Sequence, residues 1–186
     1  MSAGTPSPRP WFAFSVDLSP ATARERIPGL PALPSLPDGE LAEALDVDVV
    51  YDVPSAAWGG KVARLVDAPG KRLPGLLRRV SPELWEAVSR WEAPLAEATT
   101  SRAVKVRTAT GAMLTAQAFT PPARGGTPPP GPISEAFLIT VAVAAERAGL
   151  SADHVERLQA EARIVETIQQ AKAGAAPETA STGKKG

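Results

Sequence analysis

Trp11–Ser19, WFAFSVDLS, running straight into PATARERIPG, is the stretch that decides the fold. Its apolar first half reads as a strand. Its second half reads as a short turn leading into a helix, with Ser19 as the capping residue and Pro20 at the first helical position. A serine hydroxyl satisfies free N–H groups at a helix start, and proline fits there because its missing N–H would be unpaired anyway. A strand that turns into a helix N-terminus aims backbone N–H groups outward, which is the ordinary way a chain builds an anion cradle.

Outward from that stretch, residues 1–9 read as a polar, proline-rich disordered tail. Pro28–Gly39 carries too many prolines for regular structure, yet Leu30, Leu33 and Leu36 recur along it and predict a loop laid on the core. Glu40–Val53 alternates around Leu45, Val47, Val49 and Tyr51, a period of two that predicts a half-wet strand, with room for one helical turn before it. Trp58–Val66 and Arg72–Val80 read as two further strands joined by a turn at Asp67–Lys71, with Pro74 and Gly75 marking an edge or a bulge. Ser81-Pro82-Glu83 repeats the serine–proline helix start. Leu84, Val88 and Trp91 then form an amphipathic stripe that Trp85 widens, and Pro94 is expected to stop the helix.

Arg102–Arg107 and Ala112–Thr120 flank TATG (108–111) as a hairpin. Pro121–Pro132 reads as a surface loop in preference to a polyproline ligand. Ile133–Ala148 is apolar enough to be a buried helix. Ser151–Lys172 predicts a last helix with Val155, Leu158, Ala162 and Val165 on one face and an Arg157/Glu161 pair on the other. Five or more short strands with two to four helices, mixed in order, make the class α+β.

Composition removes several kinds of function. Among 186 residues, 44% are hydrophobic, Lys+Arg and Asp+Glu both total 20, and there are 20 prolines, 15 glycines, no cysteine and one histidine. The balanced charge and the absence of a basic, aromatic-laced window argue against a nucleic-acid surface. Without cysteine there are no disulfides, thiolate nucleophiles or Cys metal sites. The single His154 lies in a polar helix start and reads as a solvated surface residue, so no metal centre or cofactor is expected. The longest apolar run, Ala136–Ala145, is half of the ~20 residues that span a bilayer, and no secretory leader is visible at the N-terminus. The expectation is a cytoplasmic protein, without membrane or nucleic-acid partners, folded over 10–172 with a second tail over 173–186.

Three motifs in order then become specific. Phe12-Ala13-Phe14-Ser15-Val16-Asp17-Leu18-Ser19 stands where the gamma-glutamylcyclotransferase family (the AIG2-like, BtrG-like superfamily) has F-x-Y-G-S-N-L-S. Trp58-Gly59-Gly60-Lys61-Val62-Ala63-Arg64-Leu65, then Pro69-Gly70, resembles the family's W-x-G-G-x-A-x-[IL] and P-G. Val80–Ala93, VSPELWEAVSRWEA, resembles its L-S-x-x-x-L-x-x-L-D-x-x-E-G helix. The resemblance covers about Trp11 to Leu158. It implies a small closed, mostly antiparallel β-barrel with helices around one open mouth, to which this chain adds a C-terminal helical extension.

The resemblance also implies a reaction. The α-amine of a γ-glutamyl group attacks its own γ-carbonyl, releasing 5-oxoproline and an amine. Glu92 stands at the position of the base, and Phe14, Ser15, Val16, Asp17 and Leu18 form the turn that would hold the substrate. Read from the residues alone, Glu92 sits at the apolar margin of its helix, in the last turn. Apolar surroundings and the negative end of the helix dipole both push a carboxylate's pKa upward, toward a useful range.

The turn departs from the family pattern. Phe14, Ser15, Val16 and Asp17 replace Tyr, Gly, Ser and Asn; Ala93 replaces Gly, and Phe137 replaces a Tyr frequent early in the last core helix. Ser15 adds a Cβ where backbone must approach a ligand, Phe14 and Val16 remove hydroxyls, and Asp17 puts a negative charge where a substrate carboxylate would sit. Two readings follow. One is a diverged enzyme acting on a γ-glutamyl compound, its activity impaired or its substrate changed. The other is a non-catalytic binding or scaffold protein, with 151–172 presenting Ile164 and Ile168 to a protein partner or a second copy.

Overall fold

The computed structural model describes residues 7–97, 100–123 and 125–174. Strand β1 (Arg9–Ala13) leads into a 3-10 turn (Val16–Leu18) and helix α1 (Pro20–Arg26). Two long strands, β2 (Glu40–Ser55) and β3 (Gly60–Val80), precede α2 (Pro82–Ala96), the hairpin β4 (Thr100–Thr108) and β5 (Met113–Thr120), and the helices α3 (Glu135–Arg147) and α4 (Ala152–Gly174). The strands close a barrel in the order β1-β3-β2-β4-β5. All pairings are antiparallel except the closing one, where β1 meets β5 in parallel at Trp11 and Gln117. The predicted α+β barrel is therefore present, and the β2/β3 ribbon runs on past the stretches that pair with β4 and β1.

Several local expectations are corrected. Arg9 belongs to β1, paired with Val80, and only residues 1–6 of the expected first tail lie outside the described residues. The two strands read at 58–66 and 72–80 are one strand of 21 residues. What looks like a turn at 67–71 is a bulge facing a second bulge: Asp46 (φ 58°) and Gly70 (φ 79°) both adopt left-handed backbone, and the Gly70 N–H donates to Asp46 Oδ1 at 2.8 Å. Pairing resumes beyond it at Leu45 and Arg72. No helical turn precedes β2, which is extended from Glu40.

Pro94 does not stop α2. The helix continues to Ala96, held by the fully buried Leu95, whose carbonyl accepts from Ser55 Oγ at 3.4 Å, and it closes with Glu97 in left-handed backbone. Packing of one apolar side chain outweighs the lost N–H of the proline. Helix α4 runs to Gly174, beyond the expected end at 172, and residues 175–186 lie outside the described residues.

Other expectations hold in detail. Ser81 caps α2, its hydroxyl accepting from the Leu84 N–H at 3.2 Å. Trp58 and Trp91 are buried, and Leu30, Leu33 and Leu36 lie half-buried against the core. Val155, Leu158, Ala162 and Val165 form the buried face of α4. The glycines of the W-x-G-G motif also have a visible cause: a Cβ on Gly60 would stand 2.8 Å from the Ser134 N. There the loop before α3 lies along β3, and Ser134 Oγ donates to the Trp58 carbonyl at 2.7 Å while capping the Phe137 N–H at 3.1 Å. Among the described residues no helix is long and apolar enough to cross a membrane.

Candidate active site

The site begins where β1 ends. Gly75 of β3 lets the chain pass: a Cβ there would meet the Ala13 carbonyl oxygen at 2.3 Å and the Phe12 ring at 2.5 Å. Beyond Ala13 the chain enters the 3-10 turn, and its one acidic residue folds back. Asp17 Oδ1 accepts from the Ser15 N–H at 2.7 Å and from the Phe14 N–H at 3.1 Å. The two N–H groups expected to face a ligand thus carry the chain's own carboxylate. Ser19, by contrast, does not cap α1 with its side chain; its hydroxyl accepts from Thr22 Oγ1 at 3.0 Å.

Glu92 reaches the same point from α2. It is not at the margin of its helix but inside, 2% exposed, among Val88, Trp91 and Leu95. Its carboxyl faces that of Asp17, which is 1% exposed and whose charge acts on it. Burial, then the charge of Asp17, hold the Glu92 proton well above the usual carboxylate range. Burial likewise raises Asp17, to about 6, against the pull of the Ser15 N–H, of Arg78 and of the Phe14 N–H. Two carboxyls so placed titrate as one unit, each charge opposing ionisation of the other.

Arg78 supports the turn from behind. Its guanidinium is buried over the Trp11 ring, 5.3 Å from the centroid, and donates to the carbonyls of Leu18 (3.0 Å) and Asp17 (3.4 Å). The sequence reading passed over this residue, although a signal exists: Arg78 stands two positions from both Leu76 and Val80, on the strand face that carries core side chains. Around the pair, Glu92 Oε1, Ser15 Oγ, Trp11 Nε1, Trp91 Nε1 and Arg78 Nε are buried without a hydrogen-bond partner among the described residues. Such atoms are rare in folded proteins, and a cluster of them marks a place shaped by something other than stability.

Phe14 and Ser15 line a cavity of about 90 Å³ that Tyr51, Arg72, His154 and Glu161 also reach. Neither Asp17 nor Glu92 lines it. His154 is not the solvated residue its polar neighbours suggested: it is 8% exposed, burial lowers its pKa, and its Nδ1 accepts from the Arg157 guanidinium at 3.2 Å. Glu161 faces the half-buried Tyr51 hydroxyl, whose pKa burial and then the Glu161 charge raise. The expected Arg157/Glu161 pair is therefore replaced by two contacts toward the barrel and within the helix. The signal was helical spacing, since 154, 158 and 161 share one face. Of the expected site residues, the fold brings Phe14, Ser15, Asp17 and Glu92 to one point; Val16 and Leu18 are buried in the turn as core side chains.

Comparison with solved structures agrees with this geometry. A structure described as a gamma-glutamyl cyclotransferase superposes with a TM-score of 0.61 at 17% identity, over 97% of this chain and 94% of that one. An uncharacterised protein from Homo sapiens gives 0.59 at 18% identity, covering 82% and 86%. A yeast cyclotransferase described as specific to glutathione gives 0.55 at 12%, covering 87% and 97%. No family model and no curated protein matches the sequence. At these identities the likeness is one of fold, and the chain has the gamma-glutamyl cyclotransferase fold.

Proposed function

We propose that this chain is a diverged cyclotransferase that closes a γ-glutamyl group onto its own amine, with the Asp17–Glu92 pair moving the protons. The observation that supports it most is the pair itself, two buried carboxyls facing each other behind the strand-turn on this fold. The pair can take a proton from the substrate's ammonium. Glu92 is the group through which that proton passes, as its position in the helix motif implies. The freed amine attacks the γ-carbonyl, the bond to the leaving nitrogen breaks, and the pair returns protons to that nitrogen. A base whose pKa lies near working pH is the efficient choice.

In the state described, the pair is shut off from the cavity and the turn N–H groups are occupied. A substrate approaches the pair past Phe14 and Ser15, the turn residues that line the cavity. The test is release of 5-oxoproline from a panel of γ-glutamyl compounds, where Glu92→Gln should cut the rate at least ~10²-fold. Silence of the folded protein across the panel, and of a Ser15→Gly/Val16→Ser/Asp17→Asn variant as well, would end this reading. A second reading draws on Ile164 and Ile168 of α4, 59% and 49% exposed, as a face for a protein partner or a second copy. The same silence would favour it.

A further inference from the structure

We infer, on the reading just given, that the acyl group this chain accepts carries no free carboxylate beside its attacking amine: the substrate class is 4-aminoacyl amides whose carbon next to the amine bears a neutral substituent, a carboxamide or hydrogen. The inference starts from what the turn offers a ligand. Phe14 and Ser15 are the turn residues that line the cavity, and both of their N–H groups are spent on Asp17 Oδ1, at 3.1 and 2.7 Å. An incoming carboxylate finds both of these donors occupied and meets the negative charge of Asp17, which holds them.

The nearby cation does not offset this. Arg78 lies over Trp11, is committed to the carbonyls of Asp17 and Leu18, and its charge already acts on the Asp17 carboxylate. The cavity's own arginines, Arg72 and Arg157, come from β3 and α4, and both are exposed. They serve an anionic group on the amine portion of a substrate. The acyl carbon must lie within reach of the carboxyl pair, where only a neutral or cationic neighbour is welcome. An ammonium suits that place, since it hydrogen-bonds Asp17 and hands over its proton.

The reaction balances without a co-reactant. The ammonium gives one proton to the pair, its nitrogen bonds to the amide carbon, and it loses a second proton as the lactam N–H forms. The carbon–nitrogen bond to the leaving amine breaks, and that nitrogen takes up both protons. The products are a five-membered lactam without a carboxylate (a pyrrolidinone, or the carboxamide of 5-oxoproline) and the free ammonium.

The test compares three 4-nitroanilides with the full chain: that of γ-linked glutamate, that of the same group with its α-carboxylate converted to carboxamide, and that of 4-aminobutanoate. Release of nitroaniline is expected to be at least ~10-fold more efficient for the two neutral compounds, the ratio that one unfavourable charge contact of this size produces. Asp17→Asn should narrow or reverse the order, because the amide at 17 carries no charge to repel the α-carboxylate and Glu92 remains to take the proton. A wild-type preference for the free carboxylate would overturn the inference and leave the cyclotransferase reading standing. Failure of all three would count against that reading itself. In that event, binding of 5-oxoproline against its carboxamide decides the inference separately: tighter binding of the acid overturns it, and tighter binding of the amide supports it without catalysis.

Discussion

Two regions of this molecule are equally buried and obey opposite rules. The layer of α3 and α4 is arranged for stability. Leu138, Ala142, Ala144 and Ala145 of α3 and Leu158, Ala162 and Val165 of α4 are all buried, and the buried hydroxyl of Thr140 is satisfied by the Ala136 carbonyl at 2.7 Å. The region around the 3-10 turn and α2 places two carboxyls, a guanidinium and several unpartnered polar atoms at the same depth. Buried polar groups left unpaired cost free energy, and so do two acids held face to face. The comparison teaches where packing for stability stops in this fold. The helical layer holds the barrel, and the turn region gives up some of that stability, as the cyclotransferase proposed above requires.

The largest effect should come from removing the large apolar side chain next to Glu92. Trp91 is 1% exposed and sits beside Glu92 on α2. Trp91→Ala should cost about 3–5 kcal/mol, as large-to-small changes at buried aromatics do. Urea unfolding measures it, and a loss below about 1 kcal/mol would mean that the turn region is already too loosely packed for the contrast to hold.

Next in size is the response to pH, which should carry the signature of the turn region. Asp17 and Glu92 both have folded pKa values raised above their unfolded ones, to about 6 for Asp17. Between the unfolded value near 4 and pH 6 and above, the folded state therefore binds more protons than the unfolded state. Their contribution is fully present below pH 4 and is lost as pH rises through the folded values. Stability should fall from about pH 4 to about pH 6 by on the order of 1–3 kcal/mol as Asp17 loses its folded-state proton, and Glu92 adds to the fall in the same direction. His154, whose pKa is lowered, works the other way as pH drops through the unfolded value of 6.5. The check is the difference between wild type and Glu92→Gln, in which the His154 contribution cancels. A wild type that gains stability toward pH 8 relative to that variant would break the assignment.

Smaller again is the effect of Glu92→Gln at a single pH. The amide keeps the shape and a donor toward Asp17 while removing an ionisable group from an apolar site. At pH 8 it should raise stability by about 1 kcal/mol, the low end of what relieving a buried ionic site produces. Calorimetry at that pH would expose the opposite sign, which would mean that Glu92 contributes to folding as any well-paired side chain does.

How much of this was legible in the sequence divides along the same line. The helical layer could be read because its residues follow one period: Val155, Leu158, Ala162 and Val165 recur at helical spacing and are buried as that spacing requires. The barrel could be read from strand alternation and from the three motifs. The turn region resisted because its groups meet through space. Ser19 and Ser81 carry the same serine–proline signal, yet only Ser81 caps its helix, the Ser19 hydroxyl pairing with Thr22 instead. Asp17 was legible as a charge out of place, but not as a side chain that consumes the Phe14 and Ser15 N–H groups. Arg78 and His154 were missed because polar neighbours in sequence outweighed the face on which each stands. Pro94 and the bulge at 67–71 were misread for the reason that local breakers yield where Leu95 or a facing bulge supplies compensation.

The smallest effect should come from the outer face of α4, which marks where the stable layer ends. Ile164 and Ile168 are exposed and lie outside the stripe that Leu158, Ala162 and Val165 present to α3. Isoleucine and serine differ little in helix propensity, and an exposed side chain loses little by becoming polar. Ile164→Ser/Ile168→Ser should therefore leave stability within about 0.5 kcal/mol. Val165→Ser, one position away but packed on Leu138, should cost several times as much, because it removes a buried methyl pair and strands a hydroxyl. A double variant as costly as Val165→Ser, with a lower sedimentation coefficient than wild type, would mean that the isoleucines are buried by a second copy in solution. The contrast between the regions would then need redrawing, with α4 an interface as well as a strut.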